Sequence, residues 1–255
     1  MEPPHLYIAR ESVVPMRRTP QESAEMVSQL IFGERCTRLD QQGNWTQVRL
    51  EADGYTGWAD TQMLEAVSPA EYQQIDKSLF VLEGSLRMED GSTLVLPVGA
   101  RIPAGSPHTI RLGDLVYEIK PDARLIGIQS RVHLTDLARH FLNTPYLWGG
   151  RSGFGIDCSG LMQVVFSMCG VSLPRDSGPQ SEVGKAVVWG EHQSGDLAFF
   201  GKDNPSRVSH VGLLVSETEI IHASGRVRID RFTPDGIVQL RSGKLTHHLI
   251  RIRRC

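Results

Sequence analysis

The 255-residue sequence contains no run of about eighteen apolar residues, so no segment reads as a membrane-spanning helix. Cysteine is scarce, and its four positions, Cys36, Cys158, Cys169 and Cys255, show no CxxC pair and no regular spacing. That speaks against a disulfide framework and against a finger-type zinc site, and suits a reducing compartment. An excess of charge of one sign is also missing: the net charge is −2 and the pI about 6.5. Whole-chain attraction to nucleic acid or anionic lipid is therefore not expected, and the short basic stretch Arg251 to Arg254 reads as a solvated end. The N-terminal residues Met1 to His5 carry neither a basic n-region nor an apolar h-region, so no secretory signal is visible. A cytoplasmic location is the expectation, with a periplasmic or secreted one the alternative if a leader has been removed. A monomer is expected.

What is present begins with short alternating segments. Thr46 to Leu50 alternates in polarity, Asp53-Gly54 is a hairpin signal and Tyr55 to Ala59 reads as the return strand. Residues 6 to 66 thus read as a small antiparallel β-barrel, although Glu22 to Phe32 could hold a turn or two of helix. Residues 70 to 130 are equally turn-rich. Turns at Glu89 to Ser92, Pro97 to Gly99, Pro103 to Pro107 and Leu112 to Asp114 punctuate runs such as Ser92 to Leu96 and Asp114 to Ile119, which predicts a second, more diverged barrel. A boundary falls near Pro121 to Ala123. A short helix over Thr135 to Leu142 follows, with Thr135 as its cap and Leu134, Leu137, Ala138 and Phe141 on one face. Domains are therefore expected at 1–68, 69–128 and 129–255.

The glycine-rich stretch Pro145 to Leu161 has the character of a site. Gly149, Gly150, Gly153 and Gly155 lead into Asp157-Cys158-Ser159-Gly160, after which Leu161, Val164, Val165 and Met168 recur at helical spacing up to a stop at Gly170. Cys158 would open that helix, where unpaired backbone N–H groups and the positive end of the dipole favour a thiolate. A small buried apolar cysteine is the plainer alternative.

Downstream, Gly195 to Phe200, Val208 to Val215 and Ile220 to Ser224 read as strands, so helices followed by a strand meander predict an α+β domain. His210 and His222 lie on the two arms of one hairpin. Side chains alternate faces along a strand, so register decides whether they can meet. A two-residue turn would put them on opposite faces. An odd-length loop centred on Glu217 would set His222 opposite Gly212, with His210 diagonally across on the same face, and a three- or five-residue loop is predicted for that reason. Cys158 as nucleophile, His210 as base and His222 orienting the base is a workable set for cysteine catalysis, with the Cys158 N–H as an oxyanion donor. A Cys158/His210/His222 zinc centre is the lesser alternative. No cofactor or metal is expected otherwise, and His5, His108, His133, His140, His192, His247 and His248 have no recognisable partner.

Together Pro145 to Gly150, Asp157 to Leu161, Pro174-Arg175-Asp176-Ser177 with Gln180, Gly195-Asp196-Leu197, Ser209 to Gly212 and Ile221 to Ser224 resemble the NlpC family of cell-wall cysteine peptidases over roughly residues 130 to 254. Gly43-Asn44-Trp45 and Gly54 to Trp58 resemble bacterial SH3-like modules that accompany such enzymes. The resemblance implies two SH3-like all-β barrels ahead of an α+β papain-like catalytic domain, with helices on an antiparallel sheet. It implies hydrolysis of the γ-D-glutamyl bond to the diamino acid of peptidoglycan stem peptides, such as L-Ala-γ-D-Glu-diamino acid. By motif it gives Cys158, His210 and His222 as the catalytic set and Tyr146, Asp157, Ser159 and Ser177 as groove lining. Arrangement as in the YkfC-type dipeptidyl peptidases further implies that an acid and a tyrosine of the first module meet a free L-alanine amine. Glu25, with Glu22 as second choice, and Tyr55 are the expected residues. An acyltransferase or amidase on this fold, and a wall-binding protein with a lapsed catalytic domain, remain as alternatives. Trp58 is expected to pack the first barrel, Trp148 to be core or groove wall, Asp196 to cap a turn, and Cys36 and Cys169 to be small buried hydrophobes.

Overall fold

The computed structural model describes residues 5–75, 78–105, 108–202 and 207–255. The signal-peptide reading on Met1 to Pro4 and the end of the expected turn, Ser106 and Pro107, lie outside them. The chain forms two compact units, one of residues 1–128 with 151–153 and the other of 129–150 with 154–255.

The first unit opens with strands β1 (Leu6–Ala9), β2 (Val13–Arg17), β3 (Met26–Ile31), β4 (Arg35–Gln42), β5 (Trp45–Leu50), β6 (Thr56–Asp60) and β7 (Leu64–Ala66). They form one antiparallel sheet in the order β3-β2-β6-β5-β4-β1-β7. Alternation predicts the inner face well: Thr46, Val48 and Leu50 of β5 are buried, and Gly54, with φ 71°, turns the chain so that Arg49 opposes Thr56. The expected helical turns between Glu22 and Phe32 do not form. Val27 and Ile31 are β-branched, and the segment gains ladder hydrogen bonds against β2 that an isolated helical turn could not match.

After α1 (Pro69–Gln74), started by a capping box between Ser68 and Glu71, come β8 (Ser78–Glu83), β9 (Ser85–Met88), β10 (Thr93–Val95), β11 (Arg101–Pro103), β12 (Thr109–Leu112), β13 (Leu115–Ile119) and β14 (Arg124–Ile126). They make a four-stranded sheet, β10-β9-β13-β12, and a three-stranded one, β11-β8-β14. Ile8 and Phe32 pack into the same apolar cluster as Val81, Leu86, Ile110 and Tyr117. Gly33 is required at this junction: a Cβ there would stand 2.0 Å from the Arg101 carbonyl oxygen. The short strand β15 (Arg151–Ser152) also belongs to this unit. Its Arg151 guanidinium makes a two-pronged pair with buried Glu34, at 2.7 and 2.9 Å.

The second unit contains α2 (Leu134–Arg139), β16 (Gly155–Ile156), α3 (Cys158–Ser167), α4 (Ser177–Gln180), β17 (Lys185–Val187), β18 (Leu197–Gly201), β19 (His210–Leu214), β20 (Glu219–Ser224), β21 (Arg226–Thr233), β22 (Gly236–Val238) and β23 (Leu245–Arg254). The helix α2 starts one residue earlier than expected. A 3-10 turn, Arg131–His133, leads into it and His133, not Thr135, occupies the cap, while Leu134, Leu137, Ala138 and Phe141 are all buried. Seven of these strands form an antiparallel sheet in the order β17-β23-β18-β19-β20-β21-β22. Arg251 to Arg254 is thus no solvated tail. It is the end of β23, held between β17 and β18, with Arg254 paired to buried Asp196 at 2.7 Å. Asp196 also accepts from the Gln193 N–H, which is the capping role expected of it.

Helix α3 packs against β19 and β20 on one side and meets α2 and α4 on the others. Every residue from Cys158 to Phe166 is buried, not only the predicted stripe, because other elements surround the helix. A one-faced pattern understates burial in a central helix.

Candidate active site

Asp157 is the N-cap of α3, with extended backbone (φ −96°, ψ 176°), and its Oδ1 accepts from the Gly160 N–H at 2.7 Å. Its Oδ2 accepts from the Gly149 N–H at 2.9 Å, which ties the glycine-rich loop to the helix start. That loop needs Gly150, since a Cβ there would stand 2.4 Å from the Gly155 carbonyl oxygen. Arg175 completes the cluster by donating to Asp157 Oδ2 at 2.6 Å, to Oδ1 at 3.1 Å and to Ser159 Oγ at 3.0 Å, while Ser159 Oγ donates to Asp157 Oδ1 at 3.2 Å. Arg175, Asp157 and Ser159 are all buried. Asp157 and Ser159, two of the four residues of this domain expected to line a groove, thus build the platform under Cys158, with Arg175 as their common partner.

Cys158 occupies the first position of α3 and receives the backbone N–H groups of Ser159 and Val211. The latter places the thiol beside β19, one residue from His210. Its expected thiolate is not the resting form: burial, and then the Asp157 carboxylate, push the thiol up to about 12 against the N–H groups and Arg175. The helix start favours the anion, but a carboxylate at the cap and the loss of water outweigh it.

The hairpin register is the one predicted. Val215 N–H bonds the Glu219 carbonyl across a three-residue loop, and His222 opposes Gly212. A side chain at 212 would collide with this arrangement, as a Cβ would stand 2.7 Å from Ile220 and 3.0 Å from the His222 Cβ. His210 and His222 consequently share a face, their ring nitrogens Nε2 and Nδ1 2.8 Å apart. Beyond them His222 Nε2 lies 3.0 Å from Oδ2 of Asp230 on β21, which also accepts from Arg228 Nε at 2.7 Å. His247 of β23 stacks on His210 with ring centroids 4.2 Å apart. Neither Asp230 nor His247 belongs to the motifs described above. Alternation could have found Asp230: with Gly225 as the turn, Ser224 opposes Arg226, so Asp230 falls on the face of His222. His247 had no such signal, because β23 reaches the site from the far end of the chain.

The electrostatics follow from burial. It lowers His210 well below its ordinary range, aided by His222 and His247, and lowers His222 against the pull of Asp230. His247 falls to about 4, mainly through burial. For Asp230 burial works upward, but the His222 hydrogen bond, the Leu240 N–H and Arg228 outweigh it and bring the carboxyl to about 2. The unfolded chain takes up protons on these histidines as pH falls through about 6.5, while the folded protein refuses them until lower pH, so stability is full above that value and lost below it. His247 alone accounts for about 2 kcal/mol lost by pH 5. The unfolding midpoint, followed by circular dichroism, is expected to be flat between about pH 7 and 8 and to fall between pH 6.5 and 4; a rise over the lower interval would contradict the buried neutral rings.

The other expected residues are distributed as follows. Tyr146 is partly exposed, bonds the Gly225 carbonyl through its N–H, and has a phenol raised by burial and then by Cys158 and Asp157. Ser177 opens α4 and is half-buried. Trp148 is 62 % exposed and thus no core residue, whereas Trp58, Cys36 and Cys169 are buried as expected. In the first unit Tyr55 packs half-buried against the β1–β7 core. Glu25 is paired with Arg18 at 2.7 Å, and Glu22 lies 3.5 Å from Arg17. His192 does have partners, the Gly190 N–H and the Glu217 carbonyl. Among the described residues no group of three or more His, Cys, Asp or Glu side chains is arranged to hold a metal ion.

Comparison with known proteins matches residues 143–254 to the NlpC/P60 family and residues 16–64 to the bacterial dipeptidyl-peptidase SH3 domain. A protein of Bacillus subtilis named γ-D-glutamyl-L-lysine dipeptidyl-peptidase is 32 % identical over 77 % of this chain and 71 % of its own. A probable endopeptidase NlpC homologue of Haemophilus influenzae is 37 % identical over 45 % of this chain and 67 % of its own. The crystal structure of an NlpC/P60 family protein from Bacillus cereus shares the fold, with a TM-score of 0.80 at 23 % identity over 98 % of this chain and 99 % of that one. The cysteine at a helix start beside a histidine pair, carried on this sheet and matched in sequence to that degree, makes the chain a member of the NlpC/P60 family of cysteine peptidases, a hydrolase with a bacterial SH3 domain ahead of its catalytic domain.

Proposed function

We propose that this peptidase hydrolyses the γ-D-glutamyl bond to a diamino acid in peptidoglycan stem peptides, on fragments that begin with a free L-alanine. The observation that carries the reading is the thiol of Cys158, bonded by the Val211 N–H beside a strand whose His210 is hydrogen-bonded to His222. In the reaction Cys158 sulfur attacks the γ-carbonyl carbon as His210 takes the thiol proton. The oxyanion is received by the Cys158 N–H at the start of α3. Collapse breaks the C–N bond, and the amine leaves with the proton from His210. Water, deprotonated by His210, then cleaves the thioester and regenerates the thiol. Tyr146, Asp157, Ser159 and Ser177 are the side chains of the substrate groove in this reading.

The dipeptidyl-peptidase names of the relatives and of the matched SH3 domain support a substrate with a free amino terminus. Glu25 and Tyr55 are the side chains we assign to its ammonium. We read residues 69–128 as a second, diverged SH3-like barrel, supported by its four- and three-stranded sheets. The four unpaired cysteines favour a reducing compartment, and so a cytoplasmic enzyme recycling imported wall peptides. The test is to compare hydrolysis of L-Ala-γ-D-Glu-diamino acid with that of its N-acetylated form, for the parent and for Glu25→Gln. Acetylation is expected to lower kcat/KM by roughly 10-fold or more, because the amine loses its charge and hydrogen-bond donors, and Glu25→Gln to erase most of that discrimination. Equal rates on the two peptides would remove the amine requirement, and no cleavage of either would remove the substrate assignment.

A further inference from the structure

Two buried imidazoles in contact cannot both be read correctly without knowing which nitrogens carry protons, and the structure contains a group that decides it. Asp230 is 2 % exposed and His222 wholly buried. The carboxylate accepts from the Leu240 N–H on Oδ1 at 3.0 Å and from Arg228 Nε on Oδ2 at 2.7 Å, so it is anchored on both oxygens and acts only as an acceptor. Arg228 is itself tied to the Ser224 carbonyl. The ring nitrogen His222 Nε2, 3.0 Å from Oδ2, must therefore carry a proton. A neutral His222 protonated there presents a lone pair at Nδ1. His210 Nε2, 2.8 Å away, must in turn donate to it, which leaves Nδ1 as the unprotonated nitrogen of His210.

We propose that Asp230 is a positioning residue for the reaction: held by Arg228 and the Leu240 N–H, it fixes both His222 and His210 as Nε2–H tautomers, so that His210 accepts the Cys158 proton at Nδ1. The inference deepens the reading of His210 as the base and rests on it. Its three members lie on adjacent strands β19, β20 and β21, each two positions along from the residue opposing the previous one, so the sheet register itself aligns the relay. His247, stacked on His210, covers one face of that ring and restricts its rotation. A carboxylate serving only Arg228 would not need to face a ring that is sealed from solvent.

The test joins a substrate-free measurement to a kinetic one. In the parent protein, nitrogen-15 NMR of the histidine side chains at neutral pH is expected to show both rings protonated at Nε2. Asp230→Leu removes the acceptor and is expected to give His222 a mixture of tautomers. On the stem peptide it should lower kcat roughly 10²–10⁴-fold with KM within about threefold, the size of effect expected when a buried acid no longer holds a catalytic imidazole in its tautomer. Asp230→Asn, whose amide oxygen can still accept, serves if the leucine variant does not fold, and is expected to fall between it and the parent. His222 protonated at Nδ1 in the parent would overturn the proposal, as would a leucine variant with kcat within threefold of the parent or, where that variant does not fold, an asparagine variant with mixed His222 tautomers and kcat within threefold of the parent. The expected tautomers in a protein that cleaves no γ-D-glutamyl peptide would uphold the relay and overturn the substrate reading instead.

Discussion

Replacement of Cys158 by alanine is expected to abolish hydrolysis, by at least about four orders of magnitude in kcat, while leaving the fold intact. No other side chain at the start of α3 can form the covalent intermediate: Ser159 Oγ is engaged with Asp157 and Arg175. The fold should survive because the helix start does not depend on the thiol. Asp157 caps α3 and ties in Gly149, and Cys158 contributes one small buried sulfur whose truncation costs about 1 kcal/mol. Near-UV circular dichroism and the unfolding midpoint check the fold, and product chromatography checks turnover. Residual cleavage at more than about one per cent of the parent rate, from protein free of contaminating peptidase, would refute the covalent mechanism.

Arg175→Met is expected to lower stability by about 3–5 kcal/mol, since it strands the buried Asp157 carboxylate that Arg175 grips with two nitrogens. Hydrolysis should fall as well, because Asp157 ties Gly149, Ser159 and Gly160 around Cys158. Asp157→Asn alone is expected to be costly for the converse reason, a buried guanidinium with its charge unmatched. The double variant carries no unpaired charge and should be more stable than Arg175→Met, so the cycle yields a coupling between the two sites. Urea unfolding measures all four proteins. A loss below about 1 kcal/mol in Arg175→Met, or strict additivity in the double variant, would show that the pair does not hold the helix start.

These two results bear on different layers of what the sequence disclosed. The place of Cys158 at the head of α3 was legible from local pattern alone, as a glycine-rich approach, a capping aspartate and helical spacing after Cys158. The His210 and His222 pairing was legible from strand parity, a rule that needs only the loop length. Arg175 lies within a motif but its partner is not legible there, because its contact with Asp157 joins two loops across the helix start and no periodicity encodes it.

The chain by itself determined the elements, the cysteine at the head of α3 and the shared face of the two histidines, because capping, spacing and alternation act between near neighbours. Tertiary structure decided the rest. It made the basic end of the chain into an inner strand, brought His247 onto His210 from that strand and put Asp230 behind His222. It also decided the protonation of the thiol. A helix dipole acts through a few residues that sequence displays, whereas desolvation depends on everything packed around the sulfur, and here that burial, with the Asp157 carboxylate, outweighs the helix start.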